Sequence, residues 1–160
     1  VIAQVHGTAA AAGCQLVASC DLAFADDNAT FATPGVNIGL FCSTPMVAVS
    51  RKINRKKMME MLLLGDKIDS KTAVEHGLIN RRVPGKFLHE AVSEVANKIA
   101  SKSPLTLKIG KEAFYKQLEM PLSEAYEYTS KVMIQNMQAR DAEEGISAFI
   151  EKRLPVWTGK

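Results

Sequence analysis

Long apolar runs are missing from this chain of 160 residues. No uncharged apolar stretch approaches the ~18 residues that a helical membrane span needs, which excludes such a span. An excess of one charge is missing too. The 20 Lys and Arg stand against 17 Asp and Glu, and a net charge of +3 is too mild to argue for nucleic acid as a partner. Cysteine is scarce. Cys14, Cys20 and Cys42 are an odd count with no paired metal-ligand spacing, so neither a disulfide framework nor a zinc site is expected, and the thiols read as buried groups in a reducing compartment. With 10 Gly, 6 Pro and 47% hydrophobic residues, the collagen-like, low-complexity and disordered classes are excluded as well. The length suits one domain. The chain opens at Val1 inside an apolar run, with no Met and no leader, so the natural start is expected upstream. An open sheet edge and uncovered apolar surface are then expected at Val1 to Val5, with the isolated chain poorly soluble or in need of partner chains.

What is present changes character once. Up to about Lys86, short apolar runs alternate with helical ones, and beyond it nearly everything reads as helix. Val1 to Val5 is a short strand ended by His6-Gly7. Small residues follow, and the spacing of Cys14, Leu16, Val17 and Cys20 predicts a short helix to Cys20. Strands are predicted at Leu22–Ala25 and Thr30–Ala32, the second stopped by Pro34-Gly35, with an Asp26-Asp27-Asn28 turn between them. Such alternation points to mixed α/β layers. Helices are predicted over 43–51, 55–64 with Asn54 as cap and Gly65 as stop, and 70–76 closed by Gly77. A strand at 79–83 precedes an amphipathic helix over 86–100. Ser103-Pro104 starts a helix to about Leu118, and Pro121 starts another to about Gln138. Asp141, with Glu144 three residues on, predicts a capping box for a last helix to about Lys152.

Residues 6–40 are the segment able to carry chemistry. Small residues after a strand let the chain turn sharply into a helix whose first amides have no internal partners. These amides sit at the positive end of the helix dipole. The N–H groups near Ala12 and Gly13 could therefore receive an anion or a polarised carbonyl oxygen. The same small residues would also serve plain close packing of helix on strand, so the pattern alone leaves both readings open.

Ordered motifs add to this. His6-Gly7-x-Ala9-x-x-x-Gly13-Cys14-Gln15-Leu16, then Cys20-Asp21, resembles the signature of the enoyl-CoA hydratase/isomerase (crotonase) family. So do Phe31-x-x-Pro34-x-x-x-x-Gly39, Glu60-Met61-Leu62-Leu63-Leu64-Gly65-Asp66-Lys67-Ile68, Ala73-x-x-x-Gly77-Leu78-Ile79 and Glu144-Gly145-Ile146-x-Ala148-Phe149-x-Glu151-Lys152-Arg153. The likeness runs in order across nearly the whole chain. It implies an α/β fold, the C-terminal portion of a crotonase-like spiral of β-β-α turns over 1–102, then a helical trimerisation region over 103–160. The N-terminal part of that domain would be absent. It also implies acyl-CoA as substrate or ligand with no other cofactor, a homotrimer or homohexamer, fatty acid metabolism, and the mitochondrial matrix. Two backbone amides hold the thioester enolate in such proteins. One falls at Ala12, and the other would lie upstream. Lys152 matches a lysine that helps bind the CoA nucleotide in relatives. The substrate-binding set implied is thus Ala12, Gly13, Gln15, Gly35 and Lys152.

The sequence departs from the family where hydration chemistry needs two glutamates. Gln15 and Gly35 stand at those positions. Hydration requires a base for the water and an acid for the α-carbon. An amide can hold a water or a substrate group but cannot cycle a proton, and glycine has no side chain. Ala11 and Ala12 stand where glycines are usual. The expectation is an acyl-CoA-binding protein without ordinary hydratase activity. An active isomerase or thioester hydrolase using other residues remains open, as does a non-enzymatic assembly or RNA-contacting protein.

Other residues carry blander readings. His6 reads as packed or backbone-bonded, and His76 and His89 as surface residues. Asp21 reads as fixing the turn after the first helix, and Cys14 as an inert buried thiol. Arg51, Lys52, Arg55, Lys56 and Lys57 read as a solvated helix face.

Overall fold

A computed structural model describes residues 1–160, which pack as two compact units, Val1–Ala96 and Asn97–Lys160. In the first unit the first four strands alternate between two small sheets. Strands β1 (Ile2–Val5), β3 (Leu22–Asp26) and β6 (Arg81–Val83) form one, in that order and all parallel. Strands β2 (Thr8–Ala10), β4 (Thr30–Ala32) and β5 (Ile68–Asp69) form the other. In this second sheet β2 lies parallel to β4, and β5 runs antiparallel to it. Ile2 faces Leu22 in one ladder and Thr8 faces Thr30 in the other.

Strand β2 was expected as part of a turn. Ala9 and Ala10 are weak strand formers, and it is pairing with β4 that draws them into a sheet. A hydrogen bond of 2.9 Å between the Thr8 and Thr30 hydroxyls reinforces that pairing. The short strand β5 and a 3-10 turn over Pro34–Ile38 were likewise not anticipated. The turn closes on Gly39 in left-handed backbone, at φ 76°.

Helix α1 (Ala12–Ser19) buries Cys14, Val17 and Ala18, the i, i+3, i+4 stripe, and leaves Leu16 exposed on the far side. Helix α2 (Pro45–Val49) packs against α1. Helix α3 (Arg55–Leu64) starts and stops as its sequence predicts. The Asn54 side chain accepts from the Lys57 N–H at 2.9 Å, and Gly65 takes left-handed backbone at φ 68°. Met58, Met61 and Leu62 of α3 join Phe31, Val49, Ile53, Leu78 and Ile79 in the core. Helix α4 (Ser70–Glu75) is capped by Asp69. Helix α5 (Gly85–Ala100) buries Leu88 fully, with Ala91, Val92 and Val95 half-buried, while Phe87 lies exposed under the Lys86 ammonium.

In the second unit, helices α6 (Pro104–Gln117), α7 (Leu122–Met137) and α8 (Arg140–Glu151) pack on one another. Ser103 caps α6, its hydroxyl accepting from the Thr106 N–H. The capping box expected at Asp141 does not form. Helix α8 starts two residues earlier than a cap at Asp141 would place it, with Ala139 at the N-cap and no side-chain cap. Asp141 is buried and turns instead to the chain end, accepting from the Ser103 hydroxyl at 2.6 Å, from the Thr158 N–H and hydroxyl, and from the Gly159 N–H. The residues past α8 thus complete a polar hub that helix periodicity alone does not reveal. Those donors, the Ser103 hydroxyl foremost, pull the Asp141 carboxyl down to about 2. Glu144 is spent similarly. It grips Arg153 through two bonds of 2.6 and 3.0 Å and accepts from the Val156 N–H. Chiefly through Arg153, its carboxyl is also lowered to about 2.

Candidate active site

The sharp turn between β2 and α1 is real and strained. Ala11 has φ 48° and ψ −114°, a region alanine rarely occupies. A conformation of this kind costs about 1–3 kcal/mol and persists only where its surroundings over-determine it. Here they do. The Ala11 N–H donates to the Ala32 carbonyl at 3.0 Å, and the Ala11 carbonyl accepts from the Gln15 N–H at 3.0 Å. The β2–β4 ladder thus clamps the first end of the turn and the helix clamps the second.

Beyond the clamp, the Ala12 and Gly13 N–H groups have no acceptor within the chain. Helix α1 carries no side-chain cap, so these amides and the helix dipole define a positive helix end. Ala12 is exposed and Gly13 half-buried. Gln15, one turn on, is half-buried, and its side chain makes no hydrogen bond within the chain. Cys14 is fully buried at the same helix end. Burial pushes its thiol up to about 11, although the Ala32 backbone pulls the other way.

Gly35 sits in the 3-10 turn that follows β4, and it is buried. Its N–H donates to the Cys42 Sγ at 3.3 Å. A Cβ placed on Gly35 would lie 2.9 Å from the Leu40 carbonyl oxygen, 3.0 Å from the Cys42 Sγ and 3.2 Å from the Cys42 nitrogen. The loop over residues 40–42 therefore occupies the space a side chain at 35 would need. Lys152 is exposed at the C-cap of α8 in left-handed backbone, at φ 55°.

The remaining sequence candidates fall as follows. His6 is exposed between β1 and β2. Asp21 lies exposed in the bend after α1, its backbone N–H donating to the Val1 carbonyl at 3.0 Å. The Asp26 side chain accepts from the Asn28 N–H at 2.8 Å, an Asx turn. Arg51, Lys52, Arg55 and Lys56 are exposed, while Lys57 pairs with Glu60 at 2.6 Å. No group of three or more His, Cys, Asp or Glu stands together to hold a metal ion. No helix is long and apolar enough to cross a membrane.

Two features escape sequence reasoning. One is Thr33, fully buried, whose hydroxyl has no hydrogen-bond partner. A threonine between a strand and a proline carries no signal that would single it out. The other is an open apolar groove of about 590 Å³ on the surface of the helical unit, lined by Leu107, Ile146, Phe149 and Trp157 among others.

Four opening strands dealt alternately and in parallel to two sheets, a helix springing from a strained turn with free amides, and a helical C-terminal unit define the crotonase class. The enoyl-CoA hydratase/isomerase family model matches residues 1–160, and the chain belongs to that family. It is 54% identical over 158 residues to the human mitochondrial enoyl-CoA hydratase domain-containing protein 3, covering 99% of this chain and 52% of that protein. The rat protein of the same name is 52% identical over 158 residues, covering 99% of this chain and 53% of the relative. The crystal structure of the human protein superposes with a TM-score of 0.96 at 54% identity, over 98% of this chain and 61% of that one. An enoyl-CoA hydratase structure from Mycobacterium smegmatis also reaches a TM-score of 0.96, at 48% identity over 98% of this chain and 62% of that one. The chain spans about half the length of the curated relatives it matches.

Proposed function

We propose that this chain is part of a mitochondrial acyl-CoA-binding protein of fatty acid metabolism that does not hydrate enoyl-CoA. The Ala12 and Gly13 amides, unpaired within the chain, receive the thioester oxygen. Gln15 orients a bound water or substrate group without titrating. Lys152 meets the CoA nucleotide, and the helical unit assembles the protein as a homotrimer or homohexamer. The single observation that carries the reading is the pairing of a clamped turn presenting free amides with positions 15 and 35 that hold no carboxylate. Positioned acid and base groups contribute about 10²–10⁴-fold to such reactions, so their replacement removes hydration before it removes binding.

The test uses the full-length protein. Calorimetric titration with a series of acyl-CoAs is expected to show binding, and a crotonyl-CoA hydration assay is expected to show no appreciable turnover. Hydration at the rate of an ordinary hydratase, or no heat with any acyl-CoA, refutes the reading.

A further inference from the structure

Arg51, Lys52, Arg55, Lys56 and Lys57 make the densest basic run in the chain. Four of them, Arg51, Lys52, Arg55 and Lys56, are exposed, and none pairs with a carboxylate. The acids of the neighbouring turns are engaged elsewhere. Glu60 holds Lys57 at 2.6 Å, and Glu75, next to the His76 that meets Asn54, faces Lys71 at 3.9 Å.

Helix stability alone would not select this arrangement. Asn54 caps α3, and Arg55 and Lys56 occupy its first turn, which holds no acid. Cations at that end oppose the helix dipole, whose positive pole lies there. Ile53 is buried and pins the segment between α2 and α3, so the four charges are held on one short stretch of surface.

What flanks the charges narrows the partner. The Arg51 guanidinium donates to the Val47 carbonyl at 2.8 Å, and Val47 is 49% exposed. On α3, Met59 follows Arg55 and Lys56 by one turn and Leu63 follows Met59 by another, at 50% and 59% exposure. No Phe, Tyr or Trp occurs between Phe41 and Phe87, so the patch has no nearby ring in its own segment on which a nucleic acid base could stack. Unpaired cations interleaved with exposed aliphatic side chains match a surface that is anionic outside and apolar just beneath.

We propose that this face, formed by α2, the turn over 50–54 and the outer side of α3, docks the protein on an anionic phospholipid bilayer. The four cations meet headgroup phosphates, and Val47, Met59 and Leu63 reach the acyl boundary below them. The attachment is peripheral. It uses none of the residues of the acyl-thioester reading and stands independently of it.

The full-length protein is mixed with vesicles of phosphatidylcholine alone, or of phosphatidylcholine with an equal part of phosphatidylglycerol, and co-sedimentation is read. Binding to the mixed vesicles alone is expected, with release as salt is raised. The variant Lys52→Gln/Arg55→Gln/Lys56→Gln is expected to bind them about 100-fold more weakly, from roughly a five-fold gain per cation at such a surface. Removing cations from the first turn relieves the dipole, so this variant is expected to melt no lower than the native protein, which separates lost docking from lost folding. Val47→Ser/Met59→Ser keeps every cation and is expected to bind several-fold more weakly. Equal binding to both vesicles, or undiminished binding by either variant, overturns the inference. Release by inorganic phosphate at matched ionic strength overturns it too, since that marks a site for a free anion. So does no binding to either vesicle, whether or not a single-stranded RNA binds through the same cations.

Discussion

Replacing Gly35 by alanine tests whether the site is closed to an acid at that position. The added Cβ would stand 2.9 Å from the Leu40 oxygen, 3.0 Å from the Cys42 sulfur and 3.2 Å from the Cys42 nitrogen. Two of these neighbours are backbone atoms, so relief requires the loop itself to move. It also strains the hydrogen bond from the Gly35 N–H to that sulfur. Overpacking of this kind costs about 1–3 kcal/mol. In a chain of this length, about 2 kcal/mol lowers Tm by about 4–8 °C. Urea denaturation and thermal melts of Gly35→Ala measure it. The double variant Gly35→Ala/Cys42→Ala removes the sulfur contact alone, so it is expected to recover only part of the loss. Glutamate at 35 carries the same clash and adds a buried charge, so it is expected to unfold more easily still and to restore no hydration. A Gly35→Ala protein within about 0.5 kcal/mol of the native one refutes the reasoning, because that is the range of an unconstrained surface change.

Two further outcomes are expected. Asp141 titrates at about 2 in the folded protein against an ordinary 3.8, so the unfolded state takes up its proton first on acidification. Stability gained through Asp141 is therefore present above about pH 4 and lost as pH falls toward 2. A melt series across that window is expected to slope downward, less so in Asp141→Asn, and an unchanged slope contradicts the hub described. Burial holds the Cys14 thiol near 11, while Cys20 is half-exposed. Alkylation at neutral pH followed by peptide mass analysis is expected to label Cys20 well before Cys14, and equal rates would overturn that assignment.

The sequence was most readable where structure is local. Asn54 and Gly65 bound α3 because a capping oxygen and a left-handed glycine act within a few residues of themselves. Ser103-Pro104 marks the start of α6 for the same reason. What was not legible depends on partners far along the chain. Strand β2 exists because Thr30–Ala32 lies beside it, and Asp141 fails as a cap because Ser103, Thr158 and Gly159 claim its oxygens. At the candidate site, residue identities alone showed that positions 15 and 35 lack carboxylates. That the loop over residues 40–42 fills the space beside Gly35 needed coordinates, as did the unpaired Thr33 hydroxyl.

The ladder register has a consequence for how this molecule gains and loses order. Ile2 meets Leu22 and Thr8 meets Thr30, so the first rung of each sheet spans a sequence separation of only 20 and 22 residues. The first two strands of each sheet can thus pair early between near neighbours, as in coiled repeats, while β5 and β6 join later from far along the chain. Amide exchange should accordingly report successive winding steps that open separately, and a lesion in one coil should loosen its immediate neighbour more than anything further along.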